Sequence, residues 1–283
     1  MSTGEPAREV RRRILVGADG SEDSLRAVRY AVREATNDDS DLWIVHATDS
    51  VAMLSGYAWT TVLTTEDLKK IGEAIIERTS AVIDAEGFPA DRVITEVVPG
   101  FPADTLARLS GQAALVVLGR RSLGGLERMF VGSTSVHVAG HAQCPVIVVS
   151  AKAARDPSEV HGVVAVAIST WPPHSHALEW AIQKATQHGS AMQVVHVVPD
   201  DGVIPQSAFA ATEAALEAHL QPLREQYPHT RIEASVRPGV PIDELVALSH
   251  QVDLLVLGSH PAHLTGLARG VLAHAHCPVG VTG

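Results

Sequence analysis

Cysteine is nearly missing from this sequence: two residues in 283 leave no disulfide framework to hold a fold together. Aromatic residues make up only 4% against 46% apolar residues in all. A core must therefore be built from Val, Leu, Ile and Ala, the composition of parallel sheets buried beneath helices. Positive charge is in deficit. With 22 Lys and Arg against 32 Asp and Glu, the formal net charge is −10, which repels nucleic acid and anionic membrane surfaces. No stretch reaches the roughly 20 apolar residues that a bilayer span requires, and Met1–Val10 has no apolar segment of the signal-peptide kind. A cytoplasmic location is expected, with neither nucleic acid nor membrane as a partner. Arg11, Arg12 and Arg13 read as the solvated start of a strand.

What is present is an internal repeat. The run Ile14–Asp19 recurs as Val164–Ser169, 150 residues on. The corner Pro99-Gly100-Phe101-Pro102 recurs as Pro238-Gly239-Val240-Pro241, and Leu115–Gly119 recurs as Leu254–Gly258, both at an offset of 139. His141-Ala142-Gln143-Cys144-Pro145-Val146 recurs as His274-Ala275-His276-Cys277-Pro278-Val279 at an offset of 133. The falling offset means that the second copy lacks 11 residues early on and 6 more before its last helix. Two domains are expected, 1–151 and 160–283, with a linker near 150–161 where the periodicity lapses.

Each copy alternates strands with helices, the pattern of a parallel sheet with right-handed crossovers. Strands are expected near 13–18, 42–47, 92–98, 114–118 and 145–149. Leu25, Val28, Val32 and Ala35 share one face of a first helix, with Ser21 as its cap and Glu22 and Asp23 in its first turn. In each Gly-x-Pro corner the Gly permits a sharp turn and the Pro opens the next helix.

Ligands of open parallel sheets sit beyond the carboxyl ends of the strands, where strand order reverses. Two loops of the first copy stand out there: Gly17-Ala18-Asp19-Gly20-Ser21, and Gly119-Arg120-Arg121-Ser122-Leu123-Gly124-Gly125 continuing to Gly132-Ser133-Thr134. In the second loop, glycines free backbone amides to converge, a helix start adds more, and the hydroxyls and arginines supply donors and charge. That is a polyphosphate site, though neither a Walker loop nor a dinucleotide fingerprint; a solvated Gly-rich surface loop is the competing reading. Asp19 would repel phosphate, but it can accept hydrogen bonds from an adenine amino group or a ribose hydroxyl.

These residues resemble the tandem universal stress proteins abundant in actinobacteria. The likeness rests on Val16–Ser21, the Gly100-x-Pro102 corner, the Gly119 loop and the His-Ala-x-Cys-Pro-Val endings. It implies an α/β fold of two five-stranded parallel-sheet sandwiches, Rossmann-like and of the adenine-nucleotide-hydrolase kind. Pairing of the last strands, 145–149 and 278–282, could join the lobes as a pseudo-dimer. ATP-binding members carry Gly, two residues, Gly, nine residues, then Gly-Ser/Thr; here Gly119, Ser122 and Gly132-Ser133 keep the spacing with Ser in place of the second Gly. By resemblance, Asp19 and the backbone around Ala47 hold adenine, and Gly119, Arg121, Ser122, Gly132, Ser133 and Thr134 hold ribose and phosphates. Gly17, Arg120, Gly124 and Gly125 complete the expected set, with ATP, accompanied by magnesium, as the ligand. The second copy has Ser169 for Asp19, Pro261 for Ser122 and Thr265-Gly266 for Gly132-Ser133, and is expected to hold no ATP.

His274-x-His276-Cys277 could ligate a metal, but the first copy lacks one imidazole there and a helix end before a buried strand accounts for the pattern; no metal site is assigned. Cys144 and Cys277 read as small buried hydrophobes. His46 and His196, which match across the repeat, read as hydrogen-bonded structural histidines. Three functions remain open: a regulatory ATP-binding protein with a protein partner and further homodimerisation, an ATP hydrolase or pyrophosphatase, and a stress scaffold without nucleotide. No catalytic residue is assigned, and the protein is expected not to be an enzyme.

Overall fold

The computed structural model describes residues 11–48, 64–120, 132–150, 160–169, 175–199, 206–258 and 264–283. The strands are β1 (Arg13–Gly17), β2 (Asp41–Thr48), β3 (Val93–Pro99), β4 (Leu115–Gly119) and β5 (Val146–Val149), then β6 (Val163–Ile168), β7 (Ala191–Val198), β8 (Ile232–Pro238), β9 (Leu254–Gly258) and β10 (Val279–Thr282). Eight helices accompany them among the described residues: α1 (Glu22–Asn37), α2 (Thr65–Ala85), α3 (Pro102–Leu109), α4 (Ser133–His141), α5 (Ser175–Gln187), α6 (Gln206–Gln226), α7 (Pro241–Leu248) and α8 (Gly266–His274).

Each copy pairs its strands in parallel in the order three, two, one, four, five. The two sets meet through β5 and β10, the one antiparallel contact, in the register Val148 to Val279, Ile147 to Gly280 and Val146 to Val281. A single ten-stranded sheet results. Alternation along the strands divides the core into two layers. Ile14, Val16, Leu42 and Ile44 belong to the layer that also holds α1, α2, α5 and α6; Leu15, Trp43 and Val45 belong to the layer of α3, α4, α7 and α8.

The local signals act as the sequence suggests. Ser21 caps α1 by accepting from the Ser24 amide at 3.2 Å, and Leu25, Val28, Val32 and Ala35 are all buried. Gly100 and Gly239 take φ of 135° and 139°, where a side chain is rarely accommodated, and Pro102 and Pro241 open α3 and α7. Burial pushes the Cys144 thiol up to about 12, and Cys277 is buried.

One buried feature lies outside the sequence reading. Glu34 on α1 and Lys184 on α5 occupy the same repeat position, 150 residues apart, and meet at 2.5 Å with side chains 3% and 6% exposed. His188 Nε2 lies 3.0 Å from the other Glu34 oxygen. Burial by itself would raise the Glu34 carboxyl; His188 and the Lys184 ammonium outweigh it and hold the group at about 2. Tyr30, buried beside this carboxylate, has its phenol pushed well above 10 by burial and by Glu34.

Glu34→Lys, which sets two ammonium groups together, is expected to cost about 3–5 kcal/mol in urea unfolding, and the reciprocal Glu34→Lys/Lys184→Glu pair to recover most of that loss. The depressed carboxyl contributes stability that is fully present above its ordinary value of 4.5 and lost as pH falls toward about 2. Stability measured across that window should fall more steeply in the wild-type protein than in Glu34→Gln.

Candidate functional site

Strand order reverses between β1 and β4, which are neighbours in the sheet, so the loops after Gly17 and Gly119 leave from one point at the carboxyl edge. Gly119 is required by close packing, and Gly17 sits tightly: a Cβ on Gly17 would lie 2.8 Å and 2.9 Å from the terminal methyls of Leu106 and Leu118, which can move aside. A Cβ on Gly119 would lie 2.4 Å from the backbone carbonyl group of Asp23, because the first turn of α1 crosses directly over the end of β4.

Asp19 accepts from the Ser21 amide at 2.9 Å, forming the turn that leads into α1. The β1–β2 register, Gly17 opposite Val45, and the 2.9 Å bond from the Ala18 amide to the Val45 carbonyl carry on toward Asp19 and Ala47 at the ends of these strands. His46 Nδ1 lies 2.7 Å from the Ala18 carbonyl, which can only accept, so this nitrogen carries the proton. Its Nε2 is a buried acceptor with no hydrogen-bond partner among the described residues.

The far end of the second loop is tied back to the same point. Ser135, in the first turn of α4, donates to the Gly119 carbonyl at 3.0 Å. Gly132 is the cap residue of α4 and supplies no side-chain hydrogen bond, and the first turn holds no acidic residue. The amides at Ser133 and Thr134 therefore begin a helix whose positive end, among the described residues, has neither a first-turn carboxylate nor a side-chain cap. In the second copy Thr265 caps α8 itself, accepting from the Ala268 amide at 3.2 Å.

The structure thus brings together Gly17, Asp19, Ala47, Gly119, Gly132, Ser133 and Thr134. It places the Arg120 side chain elsewhere than the phosphate role expected of it. The guanidinium donates to the carbonyls of Leu272, at 3.3 Å, and Ala273, in the last turn of α8, where a cation suits the negative helix end. Burial there lowers its pKa, against the opposing influence of Asp23. Arg121, Ser122, Gly124 and Gly125 lie outside the described residues, as does Pro261. His196 repeats the His46 arrangement, with Nδ1 3.0 Å from the Ile168 carbonyl. His276 stacks on His250 at 3.6 Å between ring centroids, and no group of three metal-binding side chains gathers among the described residues.

Sequence reasoning missed the tie between Ser135 and Gly119, and the contact of Arg120 with the second half. For Glu34 and Lys184 a signal did exist, since opposite charges stand at matched positions of the repeat.

These features define a tandem α/β protein, each half a doubly wound parallel sheet with its loops at the switch point. The chain belongs to the universal stress protein family, a family of stress-response proteins, whose sequence profile matches residues 11–150 and 162–282. It is 31% identical over 258 residues to a universal stress protein of Mycolicibacterium smegmatis, covering 87% of this chain and 86% of that one. It is 30% identical over 275 residues to a universal stress protein of Mycobacterium tuberculosis, covering 93% and 92%. The whole fold resembles the crystal structure of a universal stress protein from Archaeoglobus fulgidus, with a TM-score of 0.70 over 95% of both chains at 17% identity, a likeness of fold alone. No helix among the described residues is long and apolar enough to cross a membrane.

The two copies supply an internal control for the crossing of α1 over β4. Gly119→Ala is expected to lower unfolding stability by about 2 kcal/mol. Gly258→Ala, whose nearest neighbour would be Ala177 at an ordinary 3.6 Å, should change stability by less than about 1 kcal/mol in the same denaturant titration.

Proposed function

We propose that this is a regulatory ATP-binding protein that holds one ATP per chain in its first domain, residues 1–151, with little or no turnover, while the domain at 160–283 holds none. The observation that carries the reading is the start of α4. The Ser135 hydroxyl in its first turn ties that helix start to the end of β4, at the switch point, and among the described residues its amides receive no side-chain cap. Backbone amides held in this way favour phosphate oxygens. In the second half the same helix start is closed by Thr265.

In this reading Asp19 and the backbone at Ala47 take the adenine side. Gly119, Gly132, Ser133 and Thr134, with Arg121, Ser122, Gly124 and Gly125, take ribose and phosphates. Gly17 keeps the approach narrow, and Arg120 anchors the loop rather than touching ligand. Magnesium would arrive with the phosphates, since the described residues gather no carboxylate or imidazole trio for it. The reading extends to a cytoplasmic protein whose ATP-loaded surface is recognised by a protein partner and which self-associates as a homodimer, an association that sedimentation tests.

Calorimetric titration of the full chain with ATP and magnesium tests this, together with mass spectrometry of the denatured purified protein. One ATP per chain is expected. Asp19→Ala should weaken binding by about tenfold or more, whereas Asp19→Asn, which keeps an acceptor for the Ser21 amide, separates the turn from the ligand. Two ATP per chain, or Asp19→Ala binding as tightly as wild type, would overturn the proposal.

A further inference from the structure

Arg120 follows directly on Gly119, whose carbonyl receives the Ser135 hydroxyl from the first turn of α4. Its backbone is held by the first half, since the Arg120 amide donates to the Val149 carbonyl at the end of β5, at 2.7 Å. Its side chain is held by the second. The guanidinium donates to the Leu272 and Ala273 carbonyls, two of the terminal carbonyls that α8 cannot pair within itself. Ser150, just past β5, donates to the next residue but one, at the Ala275 carbonyl, 3.4 Å away. The other end of α8, with Thr265, Leu267 and Ala268, lines a cavity at the carboxyl edge of β6, β7 and β9. This helix thus runs from the second half's carboxyl edge to the first half's. The reverse contact differs in kind. Gly140 near the end of α4 matches Ala273 in the repeat, and a Cβ there would lie 3.7 Å from Leu264, just ahead of α8. Ser259, at the place of Arg120, brings no charge.

We propose that the second half completes the phosphate site of the first: Arg120 is a positioning residue, and through it the end of α8 sets the start of α4. The inference rests on ATP binding in the first half. A guanidinium that leaves the α8 carbonyls gives up charge-assisted hydrogen bonds, about twice as strong as neutral ones, and a desolvated cation without partners is costly. Asp23, in the first turn of α1, adds a facing negative charge. The end of β4 therefore moves with α8. Gly119, one peptide away, passes that placement to Ser135, and the Ser133 and Thr134 amides belong to the same helical turn. Amides serve a phosphate only while held within about 0.5 Å of the productive geometry. By linkage, whatever factor the tie adds to ATP affinity, bound ATP adds to the tie.

Amide hydrogen exchange of the full chain, read by mass spectrometry at residues 269–277, follows the tie from the second half. Calorimetric titration with ATP and magnesium follows the site in the first. Saturating ATP should slow exchange at the end of α8 by about threefold or more relative to α7. Arg120→Met should weaken ATP binding by about tenfold and abolish that protection. Arg120→Lys, which keeps the cation but not the planar fork, should fall between the two, and it reads the same tie if Arg120→Met does not fold. Wild-type protein that binds ATP with α8 unprotected would overturn the proposal alone, as would folded Arg120→Met that binds ATP as tightly as wild type. Exchange at α8 that quickens with ATP would mean that the guanidinium leaves α8 for phosphate, and would overturn it as well. Failure of the wild type to bind ATP in the titration removes the reading beneath the proposal, and the proposal with it.

Discussion

The pairing of β5 with β10 is the constraint on which the rest of this molecule depends. Each is a four-residue apolar strand at the end of a half-sheet, an edge that invites association with any other strand. Joined antiparallel, they close each other off and make one sheet of ten strands. That junction sets α1 against α5 on one face of the sheet. On the other face it sets Arg120, just past β4, against the end of α8. Each meeting is then secured by charge: Glu34 with Lys184 inside the first layer, and Arg120 on the α8 carbonyls at the second.

Gene duplication gives this seam a property that a symmetric dimer cannot have. At a true twofold axis, position 34 of one copy would face itself, and two buried carboxylates or two buried ammonium groups repel strongly. Here the matched positions carry opposite charges, so the halves fit each other and not themselves. Asymmetry imposed at the seam accompanies asymmetry at the sheet's carboxyl edges. In the first half the backbone of α1 lies against Gly119 and, among the described residues, α4 starts without a side-chain cap; in the second, Gly258 has room and Thr265 caps α8.

Much of this was legible beforehand because it rests on local rules. Alternating apolar runs located the strands, Ser21 marked the start of α1, and Gly-x-Pro located both corners through the conformational needs of Gly and Pro. The repeat offsets identified which loop had shortened. Arg120 was misread because a cation next to glycines is chemically ready for phosphate, and sequence gives no sign that a helix end 152 residues away competes for it. Glu34 is buried because α5 of the second half covers it, which the periodicity of α1 alone does not show.

By itself, then, the sequence determined the elements, their alternation, the duplication and the decay of the second loop, since each follows from propensity, periodicity or spacing along the chain. Tertiary structure alone decided where the charges went, that the two half-sheets run on as one, and that the decayed half still encloses a cavity. Those outcomes depend on groups far apart in the chain being placed within a few ångströms of each other. Electrostatics and desolvation act over that distance, and the order of residues does not encode it.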